Sequence, residues 1–365
     1  MNIYLIDYIG IHCGMHYYLD AFKGLLDCPQ NNVVILSNYQ TDGKAFFKHQ
    51  YKGSFYTKVK SLLINYIRLN RFIRKHPNDL FVYLTYGNVI DILFLLIVSK
   101  ARYHMIDIHE AIAQHIDNKK WLKSIFRSIY NRRITTVITH SKRTNDFLDD
   151  WKYRGKRLFV PHFKYCFSKT SDHDNVGDDI TASINNDKIN LLYFGNITHA
   201  KGIDVLLSSL NNLNEEQIKR LNVIVAGKDA DGVYATVDLK YPDNIKFILR
   251  HINDDELVYL YQNIDFIVMP YRKTSQSGIL EMAFYFKKPI IASKIPYFEK
   301  MLSEFKSFGI LSEGNDVETF THALINALNI GADSFFNDAD YAVYENREEI
   351  KSFQSEFNQI LYNLK

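Results

Sequence analysis

Short apolar runs rich in β-branched residues recur along the chain, each followed by a longer stretch whose apolar positions return every three or four residues. In the first half the short runs are Ile3–Ile6, Asn32–Ser37, Leu80–Tyr83, Tyr103–Asp107, Thr136–Thr139 and Leu158–Val160. In the second half they are Asn190–Phe194, Asn222–Ala226, Ile245–Ile248, Phe266–Met269 and Pro289–Ala292, with helical patterns between them such as Asp204–Asn211 and Asp255–Gln262. A strand buried on both faces reads as a continuous apolar run, and its alternation with helices predicts parallel sheets in an α/β protein. The stretch "SKTSDHDNVGDDITASINNDK" at 168–188 is polar and poor in large apolar residues, which predicts a linker between two doubly wound domains. No repeat of 20–50 residues is visible, so a solenoid is not expected.

Composition sharpens this picture. A chain of 365 residues with 47% hydrophobic and 23% charged residues is expected to be globular, with two cores rather than one. The start "MNIYLIDYIG" carries Asp7 within its apolar run and reads as a first strand, not as a signal peptide. The longest apolar run, Ile92 to Val98, is too short to span a bilayer. Cys13, Cys28 and Cys166 are scattered and lack metal-ligand spacing, which suits a reducing cytoplasm.

The net charge of +3 conceals an asymmetry. Residues 1–170 hold 26 Lys and Arg against 12 Asp and Glu, a balance of +14, whereas the remainder carries 18 against 29, or −11. The basic half is expected to meet something anionic.

Ligands of open parallel sheets sit beyond the carboxyl ends of strands, where helix N–H groups attract anions. Two junctions of the second half fit that description. In "LLYFGNITHAKGIDVLL" a strand runs into Gly195 and Asn196, and Lys201 precedes the next helix, placed either to neutralise a phosphate or as a solvated charge. In "YRKTSQSGILEMAFYFKKPIIAS" Ser277 and Gly278 let a ligand approach the backbone at a helix start near Ile279. Glu281 in that first turn either complements the helix dipole or accepts ribose hydroxyls.

Four segments carry a resemblance. "LLYFGNITHAKGIDVLLSSL", "NVIVAGKD", "DDELVYLYQNIDFIVMPY" and "SQSGILEMAFYFKKPIIAS" follow the order and spacing of the donor domain of retaining GT-B nucleotide-sugar glycosyltransferases, over about 190 to 295. In the first half "DIHEAI", "TTVITHSKRTNDFL" and "RLFVPHF" look like that family's acceptor-domain strands. The resemblance implies two Rossmann-like domains flanking a cleft. It implies an acceptor domain at 1–165 completed by a crossing helix at 345–365, a linker at 166–188 and a donor domain at 189–344. The expected activity is transfer of a hexose from a nucleotide diphosphate sugar to a glycan or lipid-linked sugar, in surface polysaccharide or glycolipid assembly, with retention and without a metal or other cofactor.

The same resemblance implies roles for single residues. Lys201 would contact the donor diphosphate, Glu281 the ribose, and the backbone of Ser277, Gly278, Ile279 and Leu280 the phosphate or sugar. Gly14, in the loop after the first strand, would approach the phosphate, and His109 would face the transferred sugar or the acceptor. The chain departs from the pattern at Asn196, where the family carries an arginine, and at Lys273, where it carries an acid. Arg272 or Lys273 would then restore the missing cation. A nucleotide-sugar epimerase on the same fold would need a pair of catalytic acids that the sequence does not display, and a non-catalytic nucleotide-sugar-binding subunit is the other alternative.

The remaining candidates read differently. His12, Cys13 and His16 lack the fourth oriented ligand that zinc would want, and the pairs Asp229/Asp231 and Asp338/Asp340 stand in solvated loops. His109 can equally be a satisfied buried histidine beside Asp107 and Glu110. In "YTKVKSLLINYIRLNRFIRKHP" the residues Val59, Leu62, Leu63, Tyr66, Leu69 and Ile73 keep helical spacing among six cations, and "NKKWLKSIFRSIYNRR" repeats the mixture. These helices are either solvated or drawn to an anionic membrane surface on the cytoplasmic side; no nucleic-acid reader motif accompanies them.

Overall fold

The computed structural model describes residues 1–10, 15–27, 31–39, 45–48, 53–110, 119–163, 165, 173–274 and 276–364. They form two compact units, Met1–Phe163 together with Arg347–Lys365, and Lys164–Asn346.

The first unit is built on β1 (Asn2–Ile6), β2 (Asn32–Leu36), β3 (Leu80–Thr85), β4 (Tyr103–Ile108), β5 (Thr136–Thr139) and β6 (Lys156–Phe159). They lie in the order β2-β1-β3-β4-β5-β6, every pair parallel, with Ile3 opposite Val33 and Leu80, and Asp107 opposite Leu84 and Ile138. All six residues of β3 are buried, which explains its unbroken apolar run. The helices Phe55–Lys75, Val89–Val98 and Lys120–Arg133 close one core over this sheet through Leu69, Ile73, Phe94, Leu122, Phe126 and Tyr130.

The C-terminal helix Glu348–Leu364 belongs to the first unit. It buries Phe353, Phe357 and Leu361, and Gln354 Nε2 donates to the Leu25 carbonyl at 2.9 Å. The ring of Phe353 lies 6.0 Å from that of Phe22. Three apolar residues spaced by four present one face, which is why a helix so far along the chain can join this core.

The second unit contains β7 (Ile189–Phe194), β8 (Leu221–Ala226), β9 (Ile245–Ile248), β10 (Phe266–Met269), β11 (Ile290–Ala292) and β12 (Gly309–Leu311). Its order is β12-β11-β10-β7-β8-β9, again parallel throughout. Strands β7 to β9 proceed outward in one direction, and the chain then crosses back to place β10 on the other side of β7. The point of reversal, between β7 and β10, is where a crevice opens in such sheets.

The segment 166–188 is not a free linker from His173 onward. Its helix Asp178–Thr181 buries Ile180, and Asp179 accepts from Arg250 Nη2 at 2.7 Å, while Arg250 also donates to Glu256 at 2.7 Å. Asn222 Nδ2 donates to the Ser183 carbonyl at 2.7 Å. The polar residues that suggested a linker are partners of the second unit.

Candidate active site

In the second unit, the site begins where β7 ends. Gly195 has φ +102°, and a Cβ there would stand 2.7 Å from Lys201 Nζ and 2.8 Å from Ile279 Cδ1. Only glycine leaves room for the lysine head and the apolar side chain to meet over the backbone. Gly202, at φ +67°, brings the next turn so close that a Cβ would lie 1.9 Å from the Pro270 carbonyl oxygen. This approach seats the loop after β7 on the loop after β10.

The Lys201 ammonium lies 5.6 Å from the centroid of the Tyr271 ring. Among the described residues no carboxylate or carbonyl receives it in a hydrogen bond or ion pair. Its apolar surroundings lower its pKa to about 8, because burial disfavours the charged form. The group is still protonated at neutral pH and is available to an anion.

Ser277 caps the helix Gly278–Tyr285, accepting from the Leu280 N–H at 3.4 Å. The amides of Gly278 and Ile279, at the first two helical positions, have no intrahelical acceptor. A Cβ at Gly278 would press on the Tyr165 ring at 3.0 Å, so this position too is one of close approach. Lys201, Gly195 and Ile279 are thus assembled at the β7/β10 reversal, beside a helix start. This arrangement can hold a phosphate.

Three sequence-based assignments look different in place. Arg272 does not restore the missing cation: its Nη1 and Nη2 donate to both Asp204 oxygens at 2.7 and 2.6 Å, and Nη1 donates to the His199 carbonyl at 2.8 Å. Its guanidinium is neutralised by Asp204, whose hydrogen bond is also the main reason its pKa is raised. Lys273 is exposed, as is Asn196.

Glu281 is fully buried and accepts a short hydrogen bond from the Tyr344 hydroxyl. Two residues along a helix turn through about 200°, so Ile279 goes to Gly195 while Glu281 goes to the other side. There Tyr344 packs against Phe284, Phe305 and Phe308 at centroid distances of 5.2 to 5.5 Å. The carboxylate lies about 200° around the helix from Ile279, whose side chain meets Gly195. Gly14 lies outside the described residues.

In the first unit, His109 follows β4 and joins a cluster that the linear sequence disperses. Asp107, on β4, accepts from Tyr18 Oη at 2.7 Å through Oδ2 and meets His140 Nε2 at 2.6 Å through Oδ1. His140 Nδ1 lies 2.9 Å from the Val160 carbonyl oxygen. Both imidazole nitrogens of His140 therefore lie within hydrogen-bond reach of an acceptor. Burial alone would raise the Asp107 pKa, but the charge of His140 and the hydrogen bonds from His140 and Tyr18 outweigh it and hold the carboxyl low.

The His109 ring stacks on His140 at 4.9 Å and 27° and meets the edge of Tyr18 at 4.2 Å. Burial lowers its pKa to about 3, with the His140 charge adding to the effect and Asp107 opposing it. His109 is neutral in the working range. Asp107, His109 and His140 each offer one ligand atom, all within 4.8 Å of one another, so these three could hold a metal. The 2.6 Å contact between Asp107 and His140 is a charge-assisted hydrogen bond that occupies the same lone pairs. His162 stands 5.7 Å from His140, ring to ring.

Sequence reasoning singled out His109 but missed Tyr18, His140 and His162. The available signal was a histidine at or just after the end of each of three consecutive strands, β4, β5 and β6, whose parallel pairing brings their ends together.

Two parallel α/β units, the second with an anion-receptive point of reversal, define the GT-B class. Residues 179–347 match the family described as Glycosyl transferases group 1. Sucrose-phosphate synthase from Thermosynechococcus elongatus is similar in structure, with a TM-score of 0.66 and 16% identity, over 100% of this chain and 99% of that one. Anabaena Alr3699/HepE, in complex with UDP, superposes with a TM-score of 0.65 and 14% identity, over 100% of both chains. In sequence, an "Uncharacterized 41.2 kDa protein in cps region" of Klebsiella pneumoniae is 20% identical over 249 residues, 67% of this chain. The chain spans 66% of that relative's length.

Proposed function

We propose that the protein transfers a hexose from a nucleoside diphosphate sugar to a glycan or lipid-linked sugar, with retention, in the assembly of a surface polysaccharide or glycolipid. The observation that carries this reading is the Lys201 ammonium, protonated, without an anionic partner among the described residues, beside Gly195 and Ile279 at the β7/β10 reversal. The UDP complex of a protein similar in fold supports a nucleoside diphosphate as the donor's leaving group. The relative from a cps region supports polysaccharide assembly.

Cleavage of the bond between the anomeric carbon and the phosphate oxygen builds negative charge on the phosphate. Lys201 and the Gly278 and Ile279 amides stabilise that charge. The acceptor oxygen bonds to the anomeric carbon and gives its proton to the departing phosphate oxygen, so no protein nucleophile is needed. Neutral His109, clamped by His140 and Tyr18, accepts or donates a hydrogen bond to the sugar or acceptor without bringing a charge. Glu281 fixes the helix Gly278–Tyr285 against Tyr344 rather than binding ribose. A lipid-linked acceptor would make the enzyme peripheral to a membrane.

The test is incubation with a panel of UDP- and GDP-hexoses and a lipid extract, with products read by mass spectrometry and the new anomeric configuration by NMR. A glycosylated product formed by the wild type and lost in Lys201→Ala supports the reading. Nucleoside diphosphate binding without transfer to any acceptor would instead favour a non-catalytic binding subunit.

A further inference from the structure

The helix Phe55–Lys75 carries two apolar stripes where a globular protein needs one. Leu69 and Ile73 continue a buried row that begins with Ser61 and Asn65. Val59, Leu63 and Ile67, spaced by four, lie about 200° around from that row and are 38%, 57% and 46% exposed. At the helix start Phe55 and Tyr56 are 83% and 75% exposed.

The neighbouring helices continue the pattern. Val89 and Leu93 are exposed on Val89–Val98, and Trp121 and Ile125 on Lys120–Arg133. These three helices, adjacent in turn over one core, hold nine of the fourteen exposed large apolar side chains among the described residues. Monomeric proteins rarely gather so many on one face without a partner.

Charge identifies the partner. Phe55–Lys75 and Lys120–Arg133 contain no acidic residue, and the one acid of Val89–Val98, Asp91, is fully buried. Exposed Lys58, Lys60, Arg71 and Arg74 surround the outer stripe of the first helix. A groove of about 500 Å³ at its C-terminal half is lined by Ile64, Ile67, Arg68, Arg71, Phe72 and Lys75, three apolar side chains and three cations. A double-stranded nucleic acid would match the cations but not the apolar stripe. An acidic protein would need its own apolar counterpart. An anionic phospholipid bilayer offers phosphate at the surface and hydrocarbon just beneath it, which matches both.

We infer that the outer face of these three helices is a membrane-docking surface that inserts Tyr56, Leu63, Ile67 and Trp121 shallowly into an anionic leaflet while Arg68, Arg71 and Lys75 hold phospholipid head groups. This locates the peripheral attachment named in the proposed function. Attachment is measured without donor or acceptor, so its failure and that of the transfer reaction are separate results. No helix among the described residues is long and apolar enough to cross a membrane, so the contact is interfacial.

The experiment is flotation with vesicles of phosphatidylcholine alone or mixed with phosphatidylglycerol, at low and high salt, for three proteins. These are the wild type, Tyr56→Ser/Leu63→Ser/Ile67→Ser and Arg68→Glu/Arg71→Glu/Lys75→Glu. The wild type is expected to bind mixed vesicles and to keep part of that binding at high salt. Each triple variant is expected to bind about 10-fold or more weakly at low salt, one through lost insertion and the other through lost charge.

Trp121 supplies a readout that needs no variant. The chain has two tryptophans, and Trp151 is only 4% exposed, so brominated lipids should quench Trp121 selectively. Three outcomes would overturn the inference: wild-type binding matched by the serine variant, wild-type binding without quenching, or no vesicle binding at all. Vesicle-free dimerisation abolished by the serine substitutions would overturn it as well, by assigning the face to a second copy.

Discussion

Asp107 in the first unit and Lys201 in the second both lie near the carboxyl end of a parallel strand, and their surroundings treat charge in opposite ways. Around Asp107 the carboxylate, the His140 ring and the Tyr18 hydroxyl satisfy one another in full burial, and His109 beside them is neutral. Around Lys201 the nearby guanidinium of Arg272 is taken by Asp204, and the ammonium has no anion among the described residues. A closed network gives rigid geometry. An open cation gives affinity for a ligand that brings the missing charge. The difference separates a closed cluster from an open cation, and it is why the proposed function puts the leaving diphosphate at the second unit.

The largest effect should come from opening the closed network. Asp107→Ala deprives two buried donors, His140 Nε2 and the Tyr18 hydroxyl, of their acceptor and should cost about 2–6 kcal/mol in urea unfolding, about 1–3 for each. The wild-type pH dependence has a definite sign. The Asp107 pKa is lower in the folded state, so the stability it contributes is present above the ordinary carboxylate value and is lost as pH falls through the folded one. The variant should lack that acid-side loss, and an unchanged unfolding midpoint would show the network to be energetically idle.

Removing the open cation should leave stability intact and strike activity instead. Lys201→Ala is expected to reduce kcat/KM by about 10²-fold, the scale of deleting one stabiliser of the departing charge. Equal activity in variant and wild type would move the phosphate site elsewhere.

Glu281 comes next. Glu281→Ala deprives the buried Tyr344 hydroxyl of its acceptor and should cost about 1–3 kcal/mol of stability, whereas Glu281→Gln keeps an acceptor and should leave donor KM within about 3-fold, since such a swap removes charge but not shape. A large rise in donor KM for the glutamine variant would restore the carboxylate to the ribose.

The smallest effect belongs to Arg272. The pair with Asp204 is partly exposed, at 30% and 23%, so Arg272→Ala should change stability by no more than about 1 kcal/mol. Donor affinity should barely move.

What could be read in advance follows from which interactions are local. Eleven strands were recognisable because burial on both faces writes itself as an apolar run. The three residues of β12, Gly309–Leu311, fell below the length at which a run stands out. Polar composition at 168–188 suggested a linker because nothing in it announces that Arg250, some seventy residues away, would take Asp179. The same limit governs the site. Gly195 and Lys201 are near neighbours at one junction and were legible, whereas the capture of Arg272 by Asp204 and the meeting of His109 with His140 and Tyr18 depend on strand order. Glu281 was placed correctly in a first helical turn, but the side of the helix it occupies is decided by Tyr344, outside the motif.

The central claim, that Lys201 is the open cation of a nucleoside diphosphate site, is tested most directly by calorimetric titration with UDP and GDP from neutral to alkaline pH. Because the Lys201 pKa lies near 8, its proton is present at neutral pH and is lost above that value. Affinity of the wild type should therefore fall as pH rises through about 8, approaching about tenfold per pH unit, while Lys201→Ala binds weakly with a flat profile. A flat wild-type profile, or an equal fall in both proteins, would contradict the account.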